Sequence, residues 1–389
     1  MLPYLIILVF LVFCSFIHSA PNQQRSLITH WIPLLLVTVF GGIRFQTGYD
    51  WLPYTLYFEQ LPTNFSEGIS GEEIKGLPSM EPSYFLINYF IKNIGLSFDF
   101  VFLTGAFFNW YALRKLLATI PNNNAFSLLI QVSFCLVYFY FSTVRQAAAV
   151  GFVLLACREL ILFRRGYVIF IYWAIATSFQ VSAIMYAPIL LLAYTKFTVN
   201  FVAVGIALIF IGIPLVYFDV FDFAVSYLVQ NTGFAFFQKF ALYQGIQKDA
   251  AWPTFGLLVL SIFSTFYISI QTPNDERQAM LARLASIGGI ALAVSIVISP
   301  NVSTTWTRML MVSSTIQGFW YSAHCSYLPK SKILIIKLIC ISISIPIYVF
   351  SVYRSIDFLV PYQTIIDRDY FGVDPTNEIN TLENQKNGI

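Results

Sequence analysis

Leu2-Pro-Tyr-Leu-Ile-Ile-Leu-Val-Phe-Leu-Val-Phe-Cys-Ser-Phe-Ile-His-Ser19 opens the chain with no acidic side chain, lysine or arginine. A run of this length approaches the ~20 residues with which a helix crosses a hydrocarbon layer of about 30 Å. A secretory signal also has an apolar run, but a positive stretch precedes it. None precedes Leu2, so the segment is expected to be a first transmembrane helix. Similar runs recur to the far end, near 29–43, 98–115, 125–142, 145–163, 167–179, 181–194, 199–217, 252–271, 282–300, 309–326 and 333–352.

Composition agrees. Of 389 residues, 58% are hydrophobic and 11% charged. Soluble domains carry about 25% charged residues, so this chain cannot cover a water-facing surface of its size. A soluble enzyme is excluded. The runs lack the alternation of an outer-membrane barrel, and lipid forces each backbone polar group to pair inside its own segment. The expected fold is all-α, a polytopic membrane protein of about twelve spans. Residues 1–352 form one transmembrane domain, and 353–389 form a polar tail. The cysteines (Cys14, Cys135, Cys157, Cys325, Cys340) sit far apart inside apolar runs and read as small buried hydrophobes. His18, His30 and His324 form no group with metal-ligand spacing.

Basic residues collect on the cytoplasmic side of short loops. Arg25, Arg114 with Lys115, Arg164 with Arg165, Lys196, Arg277 with Arg283, and Lys330 with Lys332 all fall inside under one arrangement. The N-terminus lies outside, 167–194 is a helical hairpin, and 82–95 enters the membrane without crossing. Loops 44–81 and 218–251 and the tail are then external. The second loop holds Phe234-Ala-Phe-Phe-Gln-Lys-Phe240, suited to an amphipathic helix in the interface.

The unusual polar residues gather on the external side. Gly41-Gly-Ile-Arg44-Phe-Gln-Thr-Gly-Tyr-Asp50-Trp51 ends the second helix, and Glu81 opens the re-entrant stretch. Arg145-Gln146 opens the fifth span, Gln180 and Ser182 sit at the hairpin turn, Arg308 stands at the mouth of a later span, and Arg354 and Tyr362 follow the last. Each has an ordinary reading, as an interfacial anchor, a helix cap or a helix–helix hydrogen bond. Together, four arginines (Arg44, Arg145, Arg308, Arg354) and two acids (Asp50, Glu81) fall on the face where basic residues are disfavoured. Such a group suits an anionic ligand. Guanidinium groups bind phosphate oxygens in a bidentate fashion, which makes a diphosphate the natural candidate. A carboxylate beside it can take the proton of an acceptor hydroxyl. No nucleotide-binding loop occurs, so the donor is expected to ride on a lipid.

These residues resemble a known family. Gly42-x-Arg44, then Gly48-x-Asp50-Trp51-x-x-Tyr54, resembles the opening motif of the EpsG-type family, the Wzy-like polymerases of bacterial exopolysaccharide, capsule and O-antigen. Glu81-Pro-x-Tyr84, Arg145-Gln146, Phe179-Gln-Val-Ser-Ala183 and Arg308 follow in the family's order. The likeness runs from about residue 1 to 362. One position departs: the family commonly has histidine where this chain has Gln180. Glutamine hydrogen-bonds sugars and phosphates but is no base near neutral pH, which leaves Asp50 or Glu81 for that role.

The resemblance implies a helical membrane glycosyltransferase of the C type, working at the external face of a bacterial inner membrane. It would move a growing glycan from its polyprenyl diphosphate carrier onto a newly delivered lipid-linked repeat unit. Asp50 and Glu81 would be catalytic. Arg44, Arg145, Gln146, Gln180, Arg308, Arg354 and Tyr362 would bind diphosphate and sugar. No metal or cofactor is required, and no nucleic acid takes part. The implied partners are membrane lipid, a flippase and a chain-length regulator. Two other readings stay open. A transporter or flippase also uses polar residues in broken helices, although no inverted repeat is visible and the polar groups lie on one face. An O-antigen ligase-type glycosyltransferase would use the same face.

Overall fold

The computed structural model describes residues 2–17, 31–45, 51–62, 80–121, 123–135, 144–163, 166–195, 201–208, 210, 227, 251–298, 303–354 and 363–364. The helices are α1 (Leu2–Phe16), α2 (Ile32–Gly42), α3 (Trp51–Gln60), α4 (Pro82–Asn93), α5 (Asp99–Leu117), α6 (Asn124–Cys135), α7 (Val144–Ile161), α8 (Gly166–Phe179), α9 (Ala187–Tyr194), α10 (Phe201–Ala207), α11 (Ala251–Ile270), α12 (Glu276–Ile298), α13 (Ser303–Cys325) and α14 (Lys330–Arg354). A 3₁₀ turn, Val181–Tyr186, precedes α9. Two short strands, β1 (Arg44–Phe45) and β2 (Gln363–Thr364), pair antiparallel, Arg44 opposite Thr364. Each of the twelve apolar runs holds a helix.

Helices α12 and α14 are long and apolar enough to cross a membrane. The outer surface is apolar as well: Val9, Phe13, Phe90, Phe170 and Phe263 are each more than 60% exposed. Large apolar side chains exposed on so many different helices suit lipid as the solvent.

Small residues bring the helices together, as expected where no hydrophobic drive separates protein from lipid. A Cβ at Gly151 of α7 would lie 2.7 Å from the Phe108 ring of α5. Helix α12 packs between α11 and α13, α6 lies against α13, α14 and α1, and α7 joins α5 to α8. One end of the bundle is tied by Asn123. Its Oδ1 accepts the Phe126 N–H at 3.1 Å, capping α6, and its Nδ2 donates to the carbonyls of Cys14, Ser15 and Ile17 at 3.1–3.4 Å. Lys337 of α14 donates to the same Ser15 carbonyl.

Residues 167–194 fold back as a hairpin. Trp173 Nε1 donates to the Ala183 carbonyl at 3.1 Å, and the Tyr194 ring lies against Gly166. A continuous helix would hold residues ten apart about 15 Å from each other. Helix α4 has 12 residues, about 18 Å, short of a hydrocarbon layer. It starts at Pro82, which forces Glu81 extended, and ends at Gly95 with φ +79°. There the Leu96 N–H meets the Ile91 carbonyl at 3.1 Å, a Schellman closure.

Several boundaries differ from the sequence reading. Helix α12 starts at Glu276 rather than 282, because Asp275 Oδ1 accepts the Gln278 N–H at 2.7 Å and Gln278 Oε1 the Asn274 N–H at 2.6 Å. That reciprocal cap extends the helix through charged residues that hydropathy alone would exclude. Helix α13 starts at Ser303, so Arg308 stands on the helix and not in the loop before it. Loop 44–81, expected to be external, contains α3, and the tail returns to the bundle through β2. The amphipathic stretch 234–240 lies outside the described residues.

Candidate functional site

Arg145 is the second residue of α7. Its Nη1 meets Glu81 Oε2 at 2.5 Å, and its Nε donates to the Tyr54 hydroxyl at 3.1 Å. The Tyr54 and Tyr84 rings flank the guanidinium at 5.3 and 5.8 Å. The side chains of the pair are 21% and 12% exposed, so the site is sheltered yet open. Glu81 is held on its other oxygen too: Oε1 accepts the Val181 N–H at 3.3 Å. One carboxylate thus joins the start of α4, the start of α7 and the break after α8. Hydroxyls of Ser83 and Ser178, 2.6 Å apart, make a second tie between α4 and α8.

The tyrosine comes from α3. Trp51, Tyr54 and Phe58 are buried at helical spacing, which gives one inward face. Lys92 at the end of α4 donates to the carbonyls of Phe58, Glu59 and Leu61 at 2.7–3.0 Å. A cation there satisfies the unpaired carbonyls at the C-terminus of α3 and holds it over the site. Tyr57 stacks on Tyr84 at 6.1 Å. Burial pushes the Tyr57 hydroxyl up to about 12, with Arg145 opposing and Glu81 adding to the shift; it stays a neutral donor.

The next residue along α7 faces elsewhere, because successive helical side chains turn by about 100°. Gln146 Nε2 donates to the Tyr186 hydroxyl and its Oε1 accepts from Ser182, both at 2.9 Å. The Tyr186 hydroxyl donates to the Arg308 carbonyl at 2.7 Å. Gln180 sits extended at the break, φ −155° and ψ 113°.

Of the residues singled out from sequence, the structure joins Arg145 to Glu81 directly. It joins Gln146 to the backbone of Arg308 through Tyr186, and Gln180 stands one residue from the Glu81 contact. Arg44 occupies a different setting. It is 4% exposed, stacks on the Phe102 ring at 4.1 Å and donates to the Gly41 carbonyl at 3.3 Å. It lines a narrow cleft with Val144 and Ala147 of α7. Gly42 makes this possible, since a Cβ there would lie 2.9 Å from that of Ala106. Arg354 ends α14. Asp50, Tyr362 and the Arg354 side chain lie outside the described residues. Sequence reading assigns no role to Tyr57 or Tyr186. The i, i+3 spacing of Tyr54 and Tyr57 is the one signal for the first; Tyr186 sits in an apolar run and carries none.

Fold and site together define a helical membrane protein that presents a sheltered arginine–carboxylate pair, roofed by tyrosines, at one end of its bundle. A model described as the EpsG family matches residues 27–364, and the chain belongs to that family. No curated protein and no solved structure matches the chain. Family membership associates the chain with exopolysaccharide polymerisation.

Proposed function

We propose that this protein polymerises lipid-linked oligosaccharide repeat units at the external face of the membrane. The observation that carries the reading is the Arg145–Glu81 pair, in which both carboxylate oxygens are engaged and an anion can compete for the guanidinium. The donor is a glycan on polyprenyl diphosphate. Its diphosphate would take Arg145 in a bidentate grip, releasing one Glu81 oxygen. The acceptor hydroxyl of the incoming unit attacks the donor's anomeric carbon and gives its proton to a carboxylate, Glu81 or Asp50. The bond from that carbon to the diphosphate oxygen breaks, and the electron pair leaves with polyprenyl diphosphate. Arg145 stabilises the charge that develops on the leaving oxygens. Gln146, Ser182 and Tyr186 order the turn that carries Gln180, and Arg44, Arg308, Arg354 and Tyr362 contribute further contacts to diphosphate or sugar. Chemistry at this face also accounts for arginines where basic residues are otherwise disfavoured. The same reading proposes about twelve spans, a re-entrant α4, and a flippase and a chain-length regulator as partners.

The test is glycan length in cells lacking the gene, complemented with wild type or Arg145→Ala. Long polymer with wild type and single lipid-linked units with the variant are expected. Single units trapped on the cytoplasmic face of the null strain would show a flippase instead.

A further inference from the structure

An apolar cavity lies away from the charged pair. It has a volume of about 400 Å³ and is walled by α11, α13 and α14, with α6 and Leu292 of α12 behind. Its lining is apolar, with Leu257, Leu260, Phe263, Leu310, Ile339 and Ile343 prominent. Three of the four serines in the wall turn to protein. Ser261 donates to the Gly289 carbonyl at 2.7 Å, Ser264 meets the Tyr321 hydroxyl at 3.0 Å, and Ser314 meets Cys135 at 3.1 Å. With those groups satisfied the interior offers little to water or sugar, and apolar cavities of this kind stay dry.

Shape narrows the occupant. From Leu257 to Tyr267 along α11 is ten residues, about 15 Å, and the wall on α13 from Leu310 to Tyr321 is of similar height. Tyr267 and Tyr321, stacked at 6.0 Å and 12°, close the bottom. On the α14 side Ile335 and Ile339 are more than half exposed, at 57% and 54%, so the cavity opens sideways to lipid. Its top reaches Leu310, two residues past Arg308, whose carbonyl is tied through Tyr186 to Gln146, the neighbour of Arg145. The upper end of this slot, entered from the bilayer, therefore shares a turn of α13 with Arg308, whose carbonyl is bridged to the residue beside Arg145.

We propose that this cavity holds the proximal isoprenoid chain of the diphosphate-bearing lipid carrier, with Tyr267 and Tyr321 limiting how deep the chain can reach. The proposal rests on the lipid-linked polymerase reading above. The shared turn of α13 favours an isoprenoid over a membrane phospholipid, because a polyprenyl diphosphate carries in one molecule both the anion for Arg145 and a chain that can reach this slot.

The test uses the full-length protein in nanodiscs and two photoprobes, polyprenyl diphosphate and phosphatidylglycerol, each with a diazirine in its chain. Peptide mapping should place the polyprenyl label on α11, α13 and α14. Excess unlabelled polyprenyl diphosphate should remove it; phosphatidylglycerol should not. Label elsewhere, or equal labelling by phosphatidylglycerol that polyprenyl diphosphate does not displace, overturns the proposal. In extension assays, Leu260→Trp and Ile339→Trp should raise KM for the lipid-linked unit about tenfold with kcat kept, a loss of binding common to ground and transition states. Unchanged KM in both also overturns it. Labelling needs no turnover, so the two readings fail separately. A labelled cavity in a protein that never extends glycan sinks the polymerase, and extension without cavity label sinks the cavity.

Discussion

Two cations sit inside this bundle at opposite ends, and they are held in opposite ways. Lys337 is 5% exposed and gives its ammonium to the Ser15 carbonyl near the end of α1, over the Phe126 ring at 5.7 Å. The negative end of a helix dipole welcomes a cation, so Lys337 is satisfied by backbone. Arg145 stands in the first turn of α7, where the dipole disfavours it. Its place depends on a carboxylate, a phenol and two aromatic faces. Under the proposed function, the cation placed against its own helix is the one that would take an anionic ligand in exchange for its carboxylate. One that closes a helix end is arranged for stability.

That contrast can be broken at its strong end first. Arg145→Ala should lower extension of lipid-linked units by about 10²–10³, with the protein still inserted; Arg145→Lys should recover part, lacking the planar fork. Near-normal extension by the alanine variant would remove Arg145 from the chemistry. Next, Glu81→Ala strips the partner and leaves a sheltered charge uncompensated, which costs about 3 kcal/mol or more in buried pairs and less where water reaches. Glu81→Ala with Arg145→Ala together should recover thermal stability over Glu81→Ala alone while extension stays lost. Additive losses in melting temperature would show that the two side chains do not couple.

Lys337→Met is the control at the other end. It takes one of two donors from the Ser15 carbonyl, which keeps Asn123, at about 1 kcal/mol, and should lower the melting temperature slightly with KM and kcat near wild type. A selective loss of kcat would erase the distinction between the two cations. A modest effect on extension is expected from Tyr186→Phe, which removes a bridge of about 1 kcal/mol per hydrogen bond between Gln146 and Arg308. Extension should fall severalfold and stability slightly. No change in extension would detach the α13 end from the site.

Legibility in the sequence followed the range of the interaction. Each of the twelve apolar runs holds a helix, because an apolar run reports burial in lipid without knowledge of any neighbour, whereas α3, in the loop 44–81, carries no such signal. The starts of α12 and α13 precede the apolar runs they carry, and for α12 the cap of Asp275 with Gln278 extends the helix through polar residues. Arg145 and Glu81 stood out singly, since a charge beside a membrane span is costly wherever its partner lies. Tyr186 did not, since a tyrosine in an apolar run looks like core.

By itself, then, the sequence determined an all-helical membrane chain, a hairpin at 167–194 and a short α4, together with a set of costly polar residues. Each is a local matter of hydropathy, length and charge. Tertiary structure alone decided which of those residues meet. Arg145 and Glu81 lie 64 positions apart, and Arg44, read as their companion, stacks instead on Phe102. Contacts at such separation depend on how α4, α7 and the break at Gln180 pack, and no pattern along the chain encodes that packing directly.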